Sequence, residues 1–117
     1  MALLRSLARA LILSEDRKII TTEARAKEAR KLVERLITIA KTDDVHSRRM
    51  VARILGTERK VTPAERKKGI EKVDPIRKLF EEIAPRFAGT PGGYTRVTRI
   101  GRRRGDSAMM AALELTL

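Results

Sequence analysis

The stretch YTRVTRIGRRRGDSAMMAALELTL, residues 94–117, decides the fold because two β-type segments flank a polar turn. Residues 94–100 are rich in β-forming side chains, and residues 108–116 alternate between apolar and more polar positions. The alternation puts one apolar set on a single face: Met109, Ala111, Leu113, Leu115 and Leu117. We therefore predict a β-hairpin joined by the turn GRRRGDS, residues 101–107.

The chain before this hairpin is mostly helical in pattern. Apolar residues recur at helical spacing, and capping residues precede several of the segments. The predicted helices are residues 2–14, 22–41, 45–55, about 63–69, and a segment that Asp74 caps, Pro75 starts and Pro85 stops. KIITT, residues 18–22, is a β-branched run that predicts a third strand.

Together these elements predict an α+β fold. It is a two-layer sandwich in which about four helices pack on a small three-stranded mixed sheet of residues 18–22, 94–100 and 108–116. The length of 117 residues suits one domain, residues 1–117. Residues 56–74 form a polar, basic connector within that domain.

The charge of the chain points to polyanionic partners. It has 27 Lys and Arg against 15 Asp and Glu, which gives a net charge of +12. Such a field attracts nucleic acid first and an anionic membrane surface second. No apolar run approaches the roughly 18 residues of a membrane span, and the chain has no cysteine for disulfides. We predict a cytoplasmic protein without membrane contact.

Catalytic chemistry finds little support in the sequence. The single histidine, His46, has no partner at metal-ligand spacing, and Glu81 and Glu82 are adjacent on a helix rather than on one face. GTPGG, residues 89–93, lacks the Lys-Ser/Thr that follows a phosphate loop. We therefore predict no enzyme activity, no metal or cofactor, and no small-molecule substrate.

The turn of the hairpin is the strongest candidate binding site. From Arg86 to Gly105 there are six arginines and no acid, and only Asp106 lies near the arginines of the turn. Unpaired cations at a turn favour a phosphate contact. Arg96 and Arg99 lie three apart on a strand, so they should point to opposite faces. The candidate RNA-binding residues are Arg102, Arg103, Arg104, Arg96, Arg48, Arg49, Lys27, Arg30 and Lys31.

Two alternatives remain open for individual side chains. The helix cations among these candidates either contact phosphates or belong to a solvated face that pairs locally with Glu23, Glu28 and Glu34. Tyr94 either stacks on a base or packs within the protein. Few aromatic residues are present, which argues against a domain that stacks several bases.

Several segments in order resemble the bacterial large-subunit ribosomal protein seventeen family: ITTEARAKEARKLVERLITIAK, HSRRMVARIL, KLFEEIAPRF, GGYTRV and RRRGDSAMMAALEL. The resemblance implies a structural, non-enzymatic component that binds 23S ribosomal RNA near the nascent-chain exit tunnel, beside other large-subunit proteins. It also implies RNA-contact or loop-shaping roles for the residues that match its motifs: Arg48, Arg49, Arg96, Arg103, Arg104 and Asp106. Gly92, Gly93 and Gly105 are further candidates for shaping the loops.

The sequence departs from this family in two places. Members usually begin with a basic arm of about 20 residues, whereas Met1 falls where the first helix starts, either because the arm is absent or because the sequence is truncated. The connector at 56–74 is an insertion. The alternative function is a DNA-binding regulator with 22–41 and 45–55 as a helix-turn-helix-like pair, although the chain has no Asn or Gln to read adenine.

Overall fold

The computed structural model describes residues 2–56, 63–67 and 75–117. Its helices and strands follow the predicted order: α1 (Ala2–Leu13), β1 (Lys18–Thr22), α2 (Glu23–Ala40), α3 (Val45–Leu55), α4 (Pro63–Lys67), α5 (Pro75–Lys78), β2 (Thr95–Arg102) and β3 (Met109–Leu115). The capping role predicted for Asp74 and most of the connector fall outside the described residues. The α+β fold class is confirmed.

The sheet is antiparallel throughout, so the prediction of a mixed sheet is wrong. Its order is β1-β3-β2, and β3 pairs antiparallel with both neighbours. Strands β1 and β2 run in the same direction, but β3 lies between them and separates them. A parallel pair would require these two strands to be adjacent, but β1 pairs with the second edge of β3 rather than with the outer edge of β2.

One face of the sheet packs on the helices. The alternation in β3 is confirmed, since Ala111, Leu113 and Leu115 are buried. Leu117 lies beyond the end of β3 and is 41% exposed. The buried stripe of α2 covers this face: Ala26, Ala29, Val33, Leu36, Ile37 and Ala40. Helix α2 also packs against α1 and α3, so it lies at the centre of the core.

A bulge interrupts strand β2 near its end. Arg99 pairs with Ala111 and Gly101 pairs with Met110, which leaves Ile100 as the extra residue. Gly101 has a φ of 147°, a conformation that side-chain-bearing residues rarely adopt. The bulge shifts the alternation by one residue. As a result Arg102, opposite Met109, lies on the same face of the sheet as Arg99.

The helix ends form as their sequence signals predict. The Thr22 hydroxyl accepts a hydrogen bond from the Arg25 N–H at the start of α2. Asp44 and Ser47 form a reciprocal capping box at the start of α3. Gly56 ends α3 with a φ of 77°, and Arg9 of α1 donates to the Leu55 carbonyl there.

The helix that begins at Pro75 does not stop at Pro85, contrary to the prediction. Helix α5 continues as a π-helical turn, Leu79–Ile83, and then as a 3₁₀ turn, Ala84–Phe87. Pro85 is tolerated because it lies in the first turn of the 3₁₀ segment, where a backbone N–H is not needed. The extension buries Phe87 in the core.

Candidate nucleic-acid interface

A basic groove runs between helix α2 and edge strand β2. Its lining residues are Glu23, Lys27 and Arg30 of α2, Thr95, Arg96, Val97 and Arg99 of β2, and Thr116. Four of these eight residues are cations and one is an acid, so the lining carries a net charge of +3. Three of the predicted candidates, Lys27, Arg30 and Arg96, meet here although their positions in the sequence are far apart.

Glu23 organises one end of this groove. Its carboxylate lies 3.4 Å from the Lys27 ammonium and also accepts a hydrogen bond from the Arg99 Nε. The Arg99 hydrogen bond is the main reason that the pKa of Glu23 is lowered. The Glu23 side chain is only 19% exposed, whereas those of Lys27 and Arg99 are 60% and 69% exposed. The carboxylate therefore fixes two cations that remain open to solvent.

Glu34 holds the start of β2 against α2. One of its carboxylate oxygens accepts from the Thr95 N–H at 3.0 Å and from the Thr95 hydroxyl at 2.8 Å. The other accepts from the Tyr94 N–H at 3.2 Å. Arg30 lies 4.0 Å from the same side chain. These bonds set the position of the edge strand relative to the helix.

Local pairing, one of the two alternatives for the helix cations, is present for Lys27, Arg30 and Lys31. Lys27 pairs with Glu23 and Arg30 with Glu34, each one helical turn away. Lys31 lies 3.2 Å from Glu28 and borders a second depression beside Gly93. The cations of these pairs are exposed, with side chains 60%, 49% and 75% accessible for Lys27, Arg30 and Lys31. Solvent screening therefore keeps the contribution of each pair to stability small and leaves the cations accessible.

The hairpin tip is less unpaired than its sequence indicates. Arg103 makes a two-pronged contact with Asp106, with Nε to Oδ1 at 3.0 Å and the terminal nitrogen to Oδ2 at 2.5 Å. The Arg102 guanidinium donates to the Ser107 carbonyl at 3.0 Å. Within the part of the chain that the structure describes, Arg104 has no ion pair. Arg102 has no ion pair among the described residues either, so Arg104, which also makes no side-chain hydrogen bond there, is the most open cation of the tip.

Backbone bonds close the same turn. The Arg103 N–H donates to the Ala108 carbonyl at 2.8 Å, and the Ser107 N–H donates to the Arg103 carbonyl at 2.9 Å. Asp106 also accepts from the Ala108 N–H. Contact with Arg103 holds the pKa of the Asp106 carboxyl well below its usual range. Among the predicted loop-shaping residues, Gly93 has a φ of 71°, while in the tip the left-handed residue is Ser107 at 57°.

Arg96 and Arg99 point to opposite faces of the sheet, as predicted. Arg96 pairs across the hairpin with Glu114 at 2.8 Å, on the face of the sheet opposite to the one that packs on α2. Arg99 lies on the helix-packed face and reaches Glu23. Arg99 was not among the predicted binding residues. The interior-strand Gly101 is the signal that could have revealed the bulge that aligns Arg99 with Arg102.

The two arginines of α3 lie away from the strands, on a helix that packs against α1, α2 and α5. Arg48 contacts Asp43 at 2.9 Å, and its guanidinium carbon lies 4.9 Å from the centre of the Phe80 ring. Arg49 is exposed. The structure thus brings some of the predicted residues to the groove and the tip but leaves this pair on a separate surface.

Tyr94 packs inside the protein, so the base-stacking alternative does not apply to it. It is 2% exposed, and its ring meets Phe87 edge-on at 5.0 Å. The Lys41 ammonium lies 3.1 Å from its hydroxyl and 2.6 Å from the Thr90 carbonyl. Tyr94 therefore anchors the loop that leads into β2.

The described residues hold no group of three His, Cys, Asp or Glu side chains that could bind a metal ion. His46 is exposed in the first turn of α3. Across the same residues, no helix combines the length and the apolar character that a membrane crossing needs.

Comparison with known proteins resolves the family. The family model described as ribosomal protein L17 matches residues 3–116. The chain belongs to the ribosomal protein L17 family. Proteins named large ribosomal subunit protein bL17 are similar over 114 residues, 97% of this chain: those of Exiguobacterium sp. (47% identical, 87% of its length), Carboxydothermus hydrogenoformans (46%, 87%) and Halalkalibacterium halodurans (49%, 88%).

Membership in the L17 family confirms the resemblance seen in the sequence. The family is one of structural ribosomal proteins of the large subunit rather than of enzymes. Its match runs from α1 through β3, so it includes the groove, the hairpin tip and α3 together. Membership also favours a ribosomal role over the helix-turn-helix-like DNA-binding alternative.

Proposed function

We propose that this protein is a structural constituent of the large ribosomal subunit that binds 23S ribosomal RNA through arginine–phosphate contacts, close to the nascent-chain exit tunnel. Membership in the L17 family is the observation that carries this proposal. The net charge of +12 and the accessible cations of the groove and the tip agree with it. Neighbouring large-subunit proteins are its further partners, and the bacterial cytoplasm is its location.

The mechanism is electrostatic and depends on shape. Cations that approach RNA phosphates displace condensed counterions, and this release supplies much of the binding free energy. Phosphate contacts position a protein on RNA without reading its sequence. A folded scaffold adds specificity because it presents these cations in a fixed arrangement that only one folded RNA surface matches.

The proposed contacts fall into three surfaces. The groove contributes Lys27 and Arg30, with Arg96 at its border and Lys31 beside it. The hairpin tip contributes Arg102, Arg103 and Arg104, and α3 contributes Arg48 and Arg49. Because these surfaces lie on different elements, we expect the RNA to contact the protein on more than one side.

Co-sedimentation tests the proposal directly. Tagged protein, expressed in a bacterium that lacks its own copy, is expected to migrate with large subunits through a sucrose gradient at moderate salt. In filter binding, it should prefer protein-free 23S ribosomal RNA to a duplex DNA competitor of equal phosphate content. Equal binding to the two nucleic acids, or migration only at the top of the gradient, would remove the proposal.

The exit-tunnel location needs its own test. A photo-crosslinking residue at exposed Val45, and another at exposed Ile20, is introduced into ribosome-bound protein during translation of a labelled chain. At least one of the two sites should crosslink to nascent chains or to a factor that receives them. If subunits carry the protein but neither site gives such a product, the location is wrong while ribosomal RNA binding stands.

A further inference from the structure

We propose that the groove between α2 and β2 is a binding track for a single RNA strand, in which Arg99 is the central phosphate contact and Glu23 positions it. This inference rests on the proposed RNA-binding function and deepens it, because it assigns one surface and one new residue. It concerns the sugar–phosphate backbone rather than the bases.

The two walls of the groove place cations around one space. Lys27 and Arg30 stand three residues apart on the same side of α2, and Arg99 faces them from β2. Lys27 and Arg99 both reach the Glu23 carboxylate, so their charged groups lie within about 8 Å of each other by hydrogen-bond geometry. One phosphate between them can contact both.

Arg99 is held in a way that leaves its binding groups free. Glu23 engages only the Nε of Arg99. Within the described residues, its two terminal nitrogens make no hydrogen bond, and these are the donors that fit a phosphate in a two-pronged contact. By contrast, Arg103 uses both Nε and a terminal nitrogen on Asp106. Arg99 is therefore pre-positioned without being neutralised on its outer side.

The bulge extends the track toward the hairpin. Without the bulge, Arg102 would lie on the opposite face from Arg99, because side chains three residues apart in a regular strand point to opposite faces. With Ile100 bulged out, both side chains share one face, and Arg104 follows at the tip. The eight residues of β2 span roughly 25 Å at strand rise. On this face Arg99 and Arg102 lie three residues apart, roughly 10 Å at strand rise. Together with the cations of α2 across the groove and with Arg104 they form an open, elongated row, which suits a strand with repeated phosphates better than a single small anion.

The floor of the track excludes stacking as its means of recognition. Thr95 is buried and bonded to Glu34, Val97 is half-buried, and no aromatic side chain lines the groove. Recognition here thus depends on charge and hydrogen bonding to the backbone. The bases would point away from the protein.

The test compares Arg99→Gln with Arg25→Gln. Both remove one positive charge, but Arg25 is exposed on α2 and is not among the groove residues. Binding of the full chain to protein-free 23S ribosomal RNA is measured from low to moderate salt. Arg99→Gln should flatten the slope of log K against log salt by about 0.7 to 0.9 and weaken binding about fivefold near 0.15 M salt. Arg25→Gln should leave both nearly unchanged.

Arg99→Lys separates geometry from charge. A lysine cannot bond to Glu23 through one nitrogen and present two others to a phosphate. We expect weaker binding with an unchanged salt slope.

Lys27→Gln, on the facing wall of the groove, should reproduce the slope change of Arg99→Gln. Because Lys27 lies on α2, this variant shows that the change does not come from misfolding of strand β2. The proposed track would be overturned if Arg99→Gln and Arg25→Gln had equal effects on RNA binding, or if Arg99→Lys bound RNA as tightly as the unmodified chain. Failure of the unmodified chain to bind this RNA would instead overturn the proposed function.

Discussion

The α2–β2 groove and the hairpin tip use the same residue type in opposite ways. The tip has three consecutive arginines, and the partners of Arg102 and Arg103 lie within five residues of them. The groove gathers cations from two elements, and the bond between Arg99 and Glu23 joins positions 76 residues apart. One site is concentrated in the sequence, whereas the other exists only after folding.

This difference shows that charges which are adjacent in the sequence and charges which the fold holds in place are distinct properties. The tip closes on itself, so its shape depends mainly on local bonds between residues 102 and 108. The groove depends on how α2 packs on the sheet and on the bonds of Glu34 to the start of β2. Changes in packing should therefore damage the groove before they damage the tip.

The largest expected effect comes from the central strand. Leu113 is fully buried on β3 and lies between Ile19 and Val97. Leu113→Ala should lower the free energy of unfolding by about 2–5 kcal/mol, because it removes buried methyl groups and leaves a cavity. Chemical denaturation measures this change. Leu117→Ala is the matched control: at this exposed site the change should stay within about 0.5 kcal/mol. Equal losses would contradict the assigned packing.

The next effect isolates the groove. Glu34→Ala leaves the Tyr94 and Thr95 N–H groups and the Thr95 hydroxyl without their acceptor. The expected loss is about 1–3 kcal/mol of unfolding free energy. Amide hydrogen exchange should rise at Tyr94 and Thr95 while Arg103 and Ser107 in the tip keep their protection.

Glu28→Ala is the control on the same helix. Glu28 pairs only with the exposed Lys31 in the described structure, so its removal should change stability by less than about 0.5 kcal/mol. Loss of protection in the tip as well as at β2, after Glu34→Ala alone, would show that the two regions are not independent.

A smaller effect distinguishes the arginines of the tip. Arg104 has no ion pair among the described residues, whereas Arg103 is engaged by Asp106. Arg104→Gln should weaken binding to 23S ribosomal RNA about fivefold near 0.15 M salt without shifting the melting temperature. Arg103→Gln should lower both the RNA affinity and the melting temperature, because it also breaks the contact with Asp106 that shapes the turn. The opposite order in the melting measurement would refute the distinction.

Local patterns predicted most of the fold. Helix starts at Thr22 and Asp44 and the alternation of β3 are signals within a few residues, and each structure formed as expected. The errors concern arrangement. The sheet was expected to be mixed because the sequence does not state which strand lies in the middle. The helix continues through Pro85 by way of a π turn at Leu79–Ile83 and a 3₁₀ turn, neither of which the capping and proline signals predict.

The candidate site was predictable only in part. The tip can be predicted from the sequence because its arginines are adjacent. The contacts of Arg103 with Asp106 and of Arg102 with Ser107 reduce the number of open cations below what the sequence indicates. The groove itself is not predicted. The sequence identifies some of its lining residues separately, on the helix and on the strand, because no spacing rule links Glu23 to Arg99. Alternation allows at most one of Arg96 and Arg99 on the binding face, and the family resemblance favours Arg96 of GGYTR, so Arg99 is absent from the predicted residues. That prediction does not include the bulge that aligns Arg99 with Arg102. The interior glycine at 101 was the single local sign of that bulge.

The smallest expected effect concerns the pH response of the tip. Asp106→Asn removes the ion pair with Arg103, whose side chains are both about half exposed, so solvent screening keeps the change in melting temperature small. The pKa of Asp106 is lowered in the folded protein. Its contribution to stability is therefore fully present above the usual value of 3.8 and is lost as the pH falls through the lowered folded value.

Melting curves at about pH 7, 5 and 3 check this sign. The difference between the unmodified chain and Asp106→Asn should be constant from pH 7 to 5 and should shrink at pH 3, and added salt should reduce it throughout. Because Asp106 has no bonds to α2 or β1 in the described residues, the groove should respond to none of these changes, and Arg99-dependent RNA binding should be the same in both proteins. A difference that widens on acidification would contradict the lowered pKa of Asp106. A loss of the Arg99 contribution would mean that the tip and the groove act as one site.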